Sequence, residues 1–141
     1  MNYWLVKSEP DTFSWDQQEA NRVEPWTGVR NHMAKNNLKA MKKGDLAFFY
    51  HSNTGKEIVG IVRVAREAYP DPSVVPGEKG DWVCTDMEAV GRLPKPVTLA
   101  AIKAEPALAE IALVRMSRLS VMPVDPVYWK ILCRMGGWER A

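Results

Sequence analysis

The sequence predicts an α+β domain, a small, mixed, mostly antiparallel barrel with helices packed around it. Three observations point there. Strand-like and helix-like runs do not alternate in the βαβ rhythm of a parallel sheet, and no segment repeats another. The segment Glu57–Arg66 is apolar on both faces, which suits a strand central in its sheet or inside a closed barrel. Gly60 falls in the middle of that segment, where a bulge or tight bend lets a small barrel curve.

Taken in order, Asn2–Lys7 is short, aromatic and β-branched, and reads as a strand that Ser8-Glu9-Pro10 ends. Asp11 or Thr12 caps a short helix through Phe13–Glu19, with Phe13 as its inward residue. Pro25 opens a connection that leads into Asn31–Met41, a better helix. There Met33, Ala34, Leu38 and Met41 share one broad face, and Gly44 stops the run. Asp45–Tyr50 is the clearest strand. His51–Gly55 is turn chemistry, and with Glu57–Arg66 it completes a hairpin. Tyr69–Gly80 holds three prolines and two glycines and reads as a long loop. Asp81–Val90 alternates as a further strand, broken by Leu93-Pro94-Lys95-Pro96. Val97–Lys103 and Pro106–Met116 read as short helices, and Ser120–Val124 as a closing strand. Asp125 caps a last helix, with Pro126 at its first position, that runs to Met135 and stops at Gly136-Gly137.

A chain of 141 residues buries a core as one domain, residues 1–141, without staples. No apolar run reaches membrane-spanning length, and Asn2 onward lacks the pattern of a secretory signal. Cys84 and Cys133 lie far apart among apolar neighbours and read as buried free thiols. A reducing compartment, most simply the cytoplasm, is expected.

The chemistry is mostly negative. There is no phosphate-cradling glycine motif, no zinc-binding helix, no paired Cys-x-x-Cys and no nucleophile elbow. His32 and His51 are the two histidines, and neither has an obvious nucleophile with an orienting carboxylate. Asp71 and Glu78 fall in the long loop and read as solvated. No catalytic residue, metal site or cofactor is expected.

Two features remain. One is Trp26-Thr27-Gly28-Val29-Arg30-Asn31, which has two readings. As chain punctuation, Asn31 caps the next helix and Trp26 is core. As a ligand loop, Trp26 offers a stacking face, Gly28 frees the backbone, Asn31 reads an edge and Arg30 supplies a cation. The other is charge: Arg30 to Lys43 carries five basic residues and no acidic one. Lys35, Lys39 and Lys42 recur at i, i+4, i+7, a stripe with no acidic i,i+4 partner. Such a stripe is either a solvated face or one that meets phosphates.

Several segments together resemble the EVE domain family. They are Tyr3–Pro10, Trp26–Asn31, Phe48–Ser52, Ala68–Asp71 and Arg118–Val121. The resemblance spans nearly the whole chain. It implies a PUA-like pseudo-barrel of mixed strands wrapped by helices, similar to YTH domains. It also implies a non-catalytic module that binds DNA or RNA carrying a modified base, a cytosine derivative above all. On this resemblance Lys7 and Ser8 match a strand end that lines the base pocket, and Trp26 the stacking aromatic. Gly28, Val29 and Asn31 accompany it, and Tyr50, His51 and Ser52 match the segment bordering the pocket. Trp82 is either a further wall or core. Arg30, Lys35, Lys39 and Lys42 are the candidates for backbone contacts. The expected molecule is a monomer, off the membrane, with its effector on a separate chain. A general RNA-binding module without base selectivity is the alternative, and a nucleotide-directed enzyme using His51 or His32 a more distant one.

Overall fold

Two long strands, β4 (Glu57–Pro70) and β5 (Val83–Thr98), form the spine of the computed structural model, which describes residues 1–139. Around them the chain builds one six-stranded sheet. β1 (Tyr3–Ser8), β3 (Leu46–His51), β6 (Val121–Val124) and a three-residue strand β2 (Val23–Pro25) complete it. The order is β2-β5-β4-β3-β1-β6, with β1 parallel to β3 and every other pair antiparallel. β4 is central, as its two apolar faces require, and Ile58, Ile61, Val62 and Val64 are all buried.

Strand pairing does not close the barrel, because β2 and β6 are both edges. The helix α2 (His32–Ala40) packs against β6 on one side and β5 and β4 on the other. Asn37 donates its side-chain N–H to the Val121 carbonyl of edge strand β6 at 2.7 Å. Ala34 and Leu38 are fully buried beneath the helix. The result is a pseudo-barrel stoppered by a helix, whose first turn is capped by Asn31 (Oδ1 accepting from the Ala34 N–H at 2.9 Å).

The elements differ from the sequence reading in five places, each with a local cause. The helix α1 (Trp15–Asn21) starts at Ser14, not at Asp11 or Thr12. Ser14 and Gln17 form a reciprocal capping box, which satisfies two end donors at once. Its inward residue is Trp15, fully buried, while Phe13 is only partly so. β2 is too short to carry a periodic signal and exists through its pairing with β5. β4 runs to Pro70, past the point where proline and glycine content suggested a loop. β5 runs through Leu93-Pro94-Lys95-Pro96 instead of ending before it. Between the pairs Gly60↔Arg92 and Ile58↔Val97 the register jumps, so both prolines fall outside the ladder. Finally, Pro106–Met116 is not one helix. A 3-10 turn at Pro106–Leu108 and the short helix α4 (Ala112–Arg115) replace it. Leu108, Ile111 and Leu113 are all buried. On a continuous helix Leu113 would point about 140° away from Leu108. The helices α3 (Leu99–Ala104) and α5 (Pro126–Met135) lie where the sequence placed them, α5 capped by Asp125.

Gly60 has a more definite role than a bend. A Cβ there would lie 2.5 to 2.7 Å from the ring of Trp15. The missing side chain lets the indole lie directly on β4, and that contact seats α1 against the sheet.

Candidate functional site

β1 ends and the segment after β2 begins on opposite sides of a cleft of about 430 Å³. Lys7, Ser8, Glu9, Thr12 and Phe13 line one side. Glu24 to Arg30 line the other, and Ser120 completes the wall. Of the residues predicted for a base pocket, Lys7, Ser8, Trp26, Gly28 and Val29 meet here, together with Arg30.

Trp26 is core, as the first reading of its segment has it, and it also borders the cleft. It is 7 % exposed, and its ring stands edge-on to Phe49 at 5.5 Å and Phe13 at 6.1 Å between centroids. Its backbone N–H donates to the Thr85 carbonyl of β5 at 2.7 Å. The indole is therefore core on one side and cleft wall on the other, held from behind by aromatic packing. Lys7 donates Nζ to the Ser117 carbonyl at 2.9 Å and lies 5.8 Å from the Tyr50 ring. Burial holds its ammonium below the usual lysine pKa. Ser8 donates its hydroxyl to the Phe13 carbonyl at 2.6 Å, which folds the Glu9–Phe13 turn back over the strand end.

The opposite wall is set by a residue that sequence reasoning misplaced. Asp71 is not solvated; its side chain is fully buried. It accepts from the Gly28 N–H at 2.8 Å, from the Ser73 N–H and hydroxyl at 2.7 and 2.6 Å, and from Arg30 Nη1 at 3.1 Å. Burial pushes its carboxyl pKa up, but the bonds from Ser73, Gly28 and Arg30 outweigh burial and hold it below the usual value. Gly28 adopts φ +83°, the left-handed region, which turns its N–H toward that carboxylate. The motif Asp71-Pro72-Ser73 signals a local side-chain turn. Its tie to Gly28 spans 43 residues and has no sequence signature.

Arg30 is likewise committed. Nε donates to Glu78 at 2.6 Å, Nη1 to Asp71 and to the Val29 carbonyl, and Nη2 to Ser73 at 3.2 Å. As a phosphate contact it is compensated by two carboxylates, so Glu78 too belongs to a network and not to bulk solvent. The guanidinium braces the loop.

Four predicted pocket residues do not line the cleft. Asn31 spends its side-chain oxygen on the helix cap and faces a second recess. Tyr50 is buried in the core. His51 Nε2 accepts the Trp15 N–H at 3.0 Å, which fixes the start of α1. Ser52 donates its backbone N–H to the Ser8 carbonyl at 3.0 Å. Of these last three only Ser52 bonds a cleft residue directly, through the Ser8 carbonyl. Trp82 is neither a cleft wall nor part of the main core. It is buried beneath His32, stacked at 4.9 Å, with Lys35 Nζ 5.3 Å and Arg30 5.6 Å from its ring. Conversely Glu9, Thr12, Glu24 and Ser120 line the cleft without having been predicted. Ser120 arrives there because β6 pairs with β1, a contact only the fold creates.

Lys39 is exposed on α2, but Lys42, expected on the same helical stripe, lies exposed beyond the helix end at Ala40, and Lys35 is half-buried; among the described residues no ion pair engages any of the three. Cys84 and Cys133 are free and buried; burial raises both thiols, that of Cys133 to about 11. Among the described residues no group of three or more His, Cys, Asp or Glu side chains could hold a metal, and no helix is long and apolar enough to cross a membrane.

The family model for the EVE domain matches residues 2–135. The chain belongs to the EVE domain family. Thymocyte nuclear protein 1 of the mouse is 36 % identical over 154 aligned residues, covering 87 % of this chain and 68 % of that protein. Among solved structures, Rpa0253 from Rhodopseudomonas palustris is 57 % identical, with a TM-score of 0.91 over 100 % of this chain and 97 % of that one. Human thymocyte nuclear protein 1, solved in complex with 5-methylcytosine-containing DNA, is 32 % identical. Its TM-score is 0.89, over 99 % of this chain and 100 % of that one. An ASCH protein from Zymomonas mobilis, 9 % identical with a TM-score of 0.58, shares the fold alone.

Proposed function

We propose that this EVE domain is a non-catalytic nucleic-acid-binding module that reads a modified cytosine in the cleft walled by Trp26. The observation that carries the reading is the human relative's complex with 5-methylcytosine DNA, on a fold that matches this one across almost its whole length. The cleft's chemistry supports it. Trp26 supplies a rigid aromatic wall, Lys7 a cation at the rim, and Thr27, Glu24 and Ser120 polar groups for a base edge. A carboxylate such as Glu24 suits the exocyclic amino group of cytosine. The non-catalytic part rests on the histidines: His51 uses its accepting nitrogen on the Trp15 backbone, and His32 stacks on Trp82 away from the cleft.

Magnitudes bound what such a reader achieves. Stacking one base on an aromatic contributes about 1–3 kcal/mol. Extruding a base from a duplex costs a few kcal/mol, so backbone contacts must supply the surplus. Burying one added methyl contributes roughly 0.8 kcal/mol by transfer and about 1–3 kcal/mol in a fitted pocket. Selectivity of about tenfold to a hundredfold is the corresponding range. The exposed lysines on and just after α2, Lys39, Lys42 and Lys43, favour a second reading, a general RNA-binding module held by phosphates.

Fluorescence anisotropy with matched oligonucleotides separates the two. DNA and RNA strands carrying cytosine or 5-methylcytosine are titrated against wild type, Trp26→Ala and Lys7→Met, each checked by thermal melting. The expected result is a preference for the modified base that folded Trp26→Ala loses and Lys7→Met weakens. Preference unchanged in a folded Trp26→Ala places the pocket elsewhere. Tight, salt-sensitive RNA binding without preference supports the second reading.

A further inference from the structure

A second recess adjoins the cleft, of about 420 Å³ against about 430 Å³ for the first. It lies between the start of α2 and the turn that follows α4, and Asn31, Met33, Met116, Ser117 and Arg118 line it. Two of the few large apolar side chains left exposed among the described residues stand here, Met33 at 49 % and Met116 at 41 %. Thioethers exposed in a recess are soft, adaptable packing surfaces. The charge is basic. Arg115 in the same wall is compensated by Glu110, whereas Arg118 has no ion pair or hydrogen bond among the described residues.

The two recesses share a partition. Lys7 lines the cleft and donates its ammonium to the carbonyl of Ser117, a wall of the recess. Arg30 closes the cleft, and its neighbour Asn31 opens the recess. A phosphodiester passing from one to the other would cross Lys7 with Arg118 beyond it.

We infer that this recess is the seat of the nucleotide next to the base held in the cleft, its base against Met33 and Met116 and its phosphate toward Arg118. The domain then engages two successive nucleotides of one strand. This inference rests on the cleft being a base pocket, and it adds a second subsite whose contribution is separately measurable. The occupant is a nucleotide and not an apolar peptide because the recess pairs its apolar floor with an uncompensated arginine and continues a cleft whose partition is cationic.

The test compares 5-methyl-dCMP with dinucleotides that carry 5-methyl-dC at either position, by calorimetry and by backbone-amide NMR shifts on the 141-residue chain. Wild type is expected to bind one of the dinucleotides roughly tenfold more tightly than the mononucleotide. The added nucleotide moves the amides of Ser117 and Arg118, while the mononucleotide moves those of Thr27 and Gly28. Met33→Ser with Met116→Ser, and separately Arg118→Ala, should leave mononucleotide affinity unchanged and abolish the gain. All these positions are exposed, so the variants keep their fold. Binding of the mononucleotide with no gain for either dinucleotide overturns the second subsite and leaves the base pocket standing. A gain that survives in the variants overturns it too. Absence of any nucleotide binding by wild type overturns both readings, and Met33 and Met116 would then have to be explained by a protein partner.

Discussion

The imidazole of His51 accepts the Trp15 N–H through Nε2, so its neutral form carries the proton on Nδ1. Burial lowers its pKa from the ordinary 6.5, against the opposing pull of Glu57 and Asp16. The unfolded chain therefore takes up a proton near pH 6.5 while the folded protein still excludes it. Stability is full above that value and declines as the pH falls from 6.5 to the lower folded pKa, below which it levels. Denaturant unfolding at about pH 7.5 and about pH 5 should show this loss, and His51→Gln, which keeps an acceptor, should flatten it. An unaltered slope in His51→Gln would assign the effect to another group. Asp71 works at the same scale. One buried carboxylate positions Gly28 and Arg30 together, so the shape of the cleft wall depends on a residue that does not line it.

Among the elements, α1 and β4 meet through a single missing side chain. Gly60 leaves room for the Trp15 ring, and Gly60→Ala should cost about 1–3 kcal/mol through overpacking. The urea midpoint measures it, and Trp15→Phe in the same background should restore part of the loss. If Gly60→Ala is neutral, the sheet accommodates a methyl there and the close contact is not what seats the helix. The helix α2 carries three tasks. Its cap residue Asn31 borders the second recess, its inner face stoppers the sheet, and its outer face presents Lys39. Its periodicity was readable in part: Ala34, Leu38 and Met41 are buried as the 3.6-residue rule places them, whereas Met33, expected on the same face, is exposed and Lys42 lies past the helix end. β2 and the continuation of β5 past Pro94 were not, since both exist by virtue of a partner strand.

For the whole molecule the net charge of +2 understates the local electrostatics, because Arg30 to Lys43, which includes α2, carries five basic residues and no acidic one. If nucleic acid lies along that segment, log affinity falls linearly with log salt, and Lys39→Ala or Lys42→Ala should each reduce the slope by about one. Neither variant should alter preference for one base over another. Slopes identical to wild type would remove α2 and the turn after it from the interface while leaving the cleft intact. The same architecture explains why the cleft and the recess beside it adjoin. β1 brings Lys7 to the cleft, and β6, paired beside it, brings Ser117 to Ser120 to the partition.

By itself the sequence determined the mixed fold, the central place of β4, the Asn31-capped helix with Lys35 and Lys39 on it, and the family resemblance. The first three follow from local periodicity, capping chemistry or composition, which the chain carries without reference to distant residues. Only the tertiary structure decided what closes the sheet, which of the candidate residues share one cleft, and which are diverted to support. Asn31, His51 and Arg30 had the chemistry of ligand contacts, and each found a protein partner first. The physical reason is that a donor or acceptor commits to whatever the fold brings within about 3 Å of it. Those distances are set by strand pairing and helix packing across tens of residues.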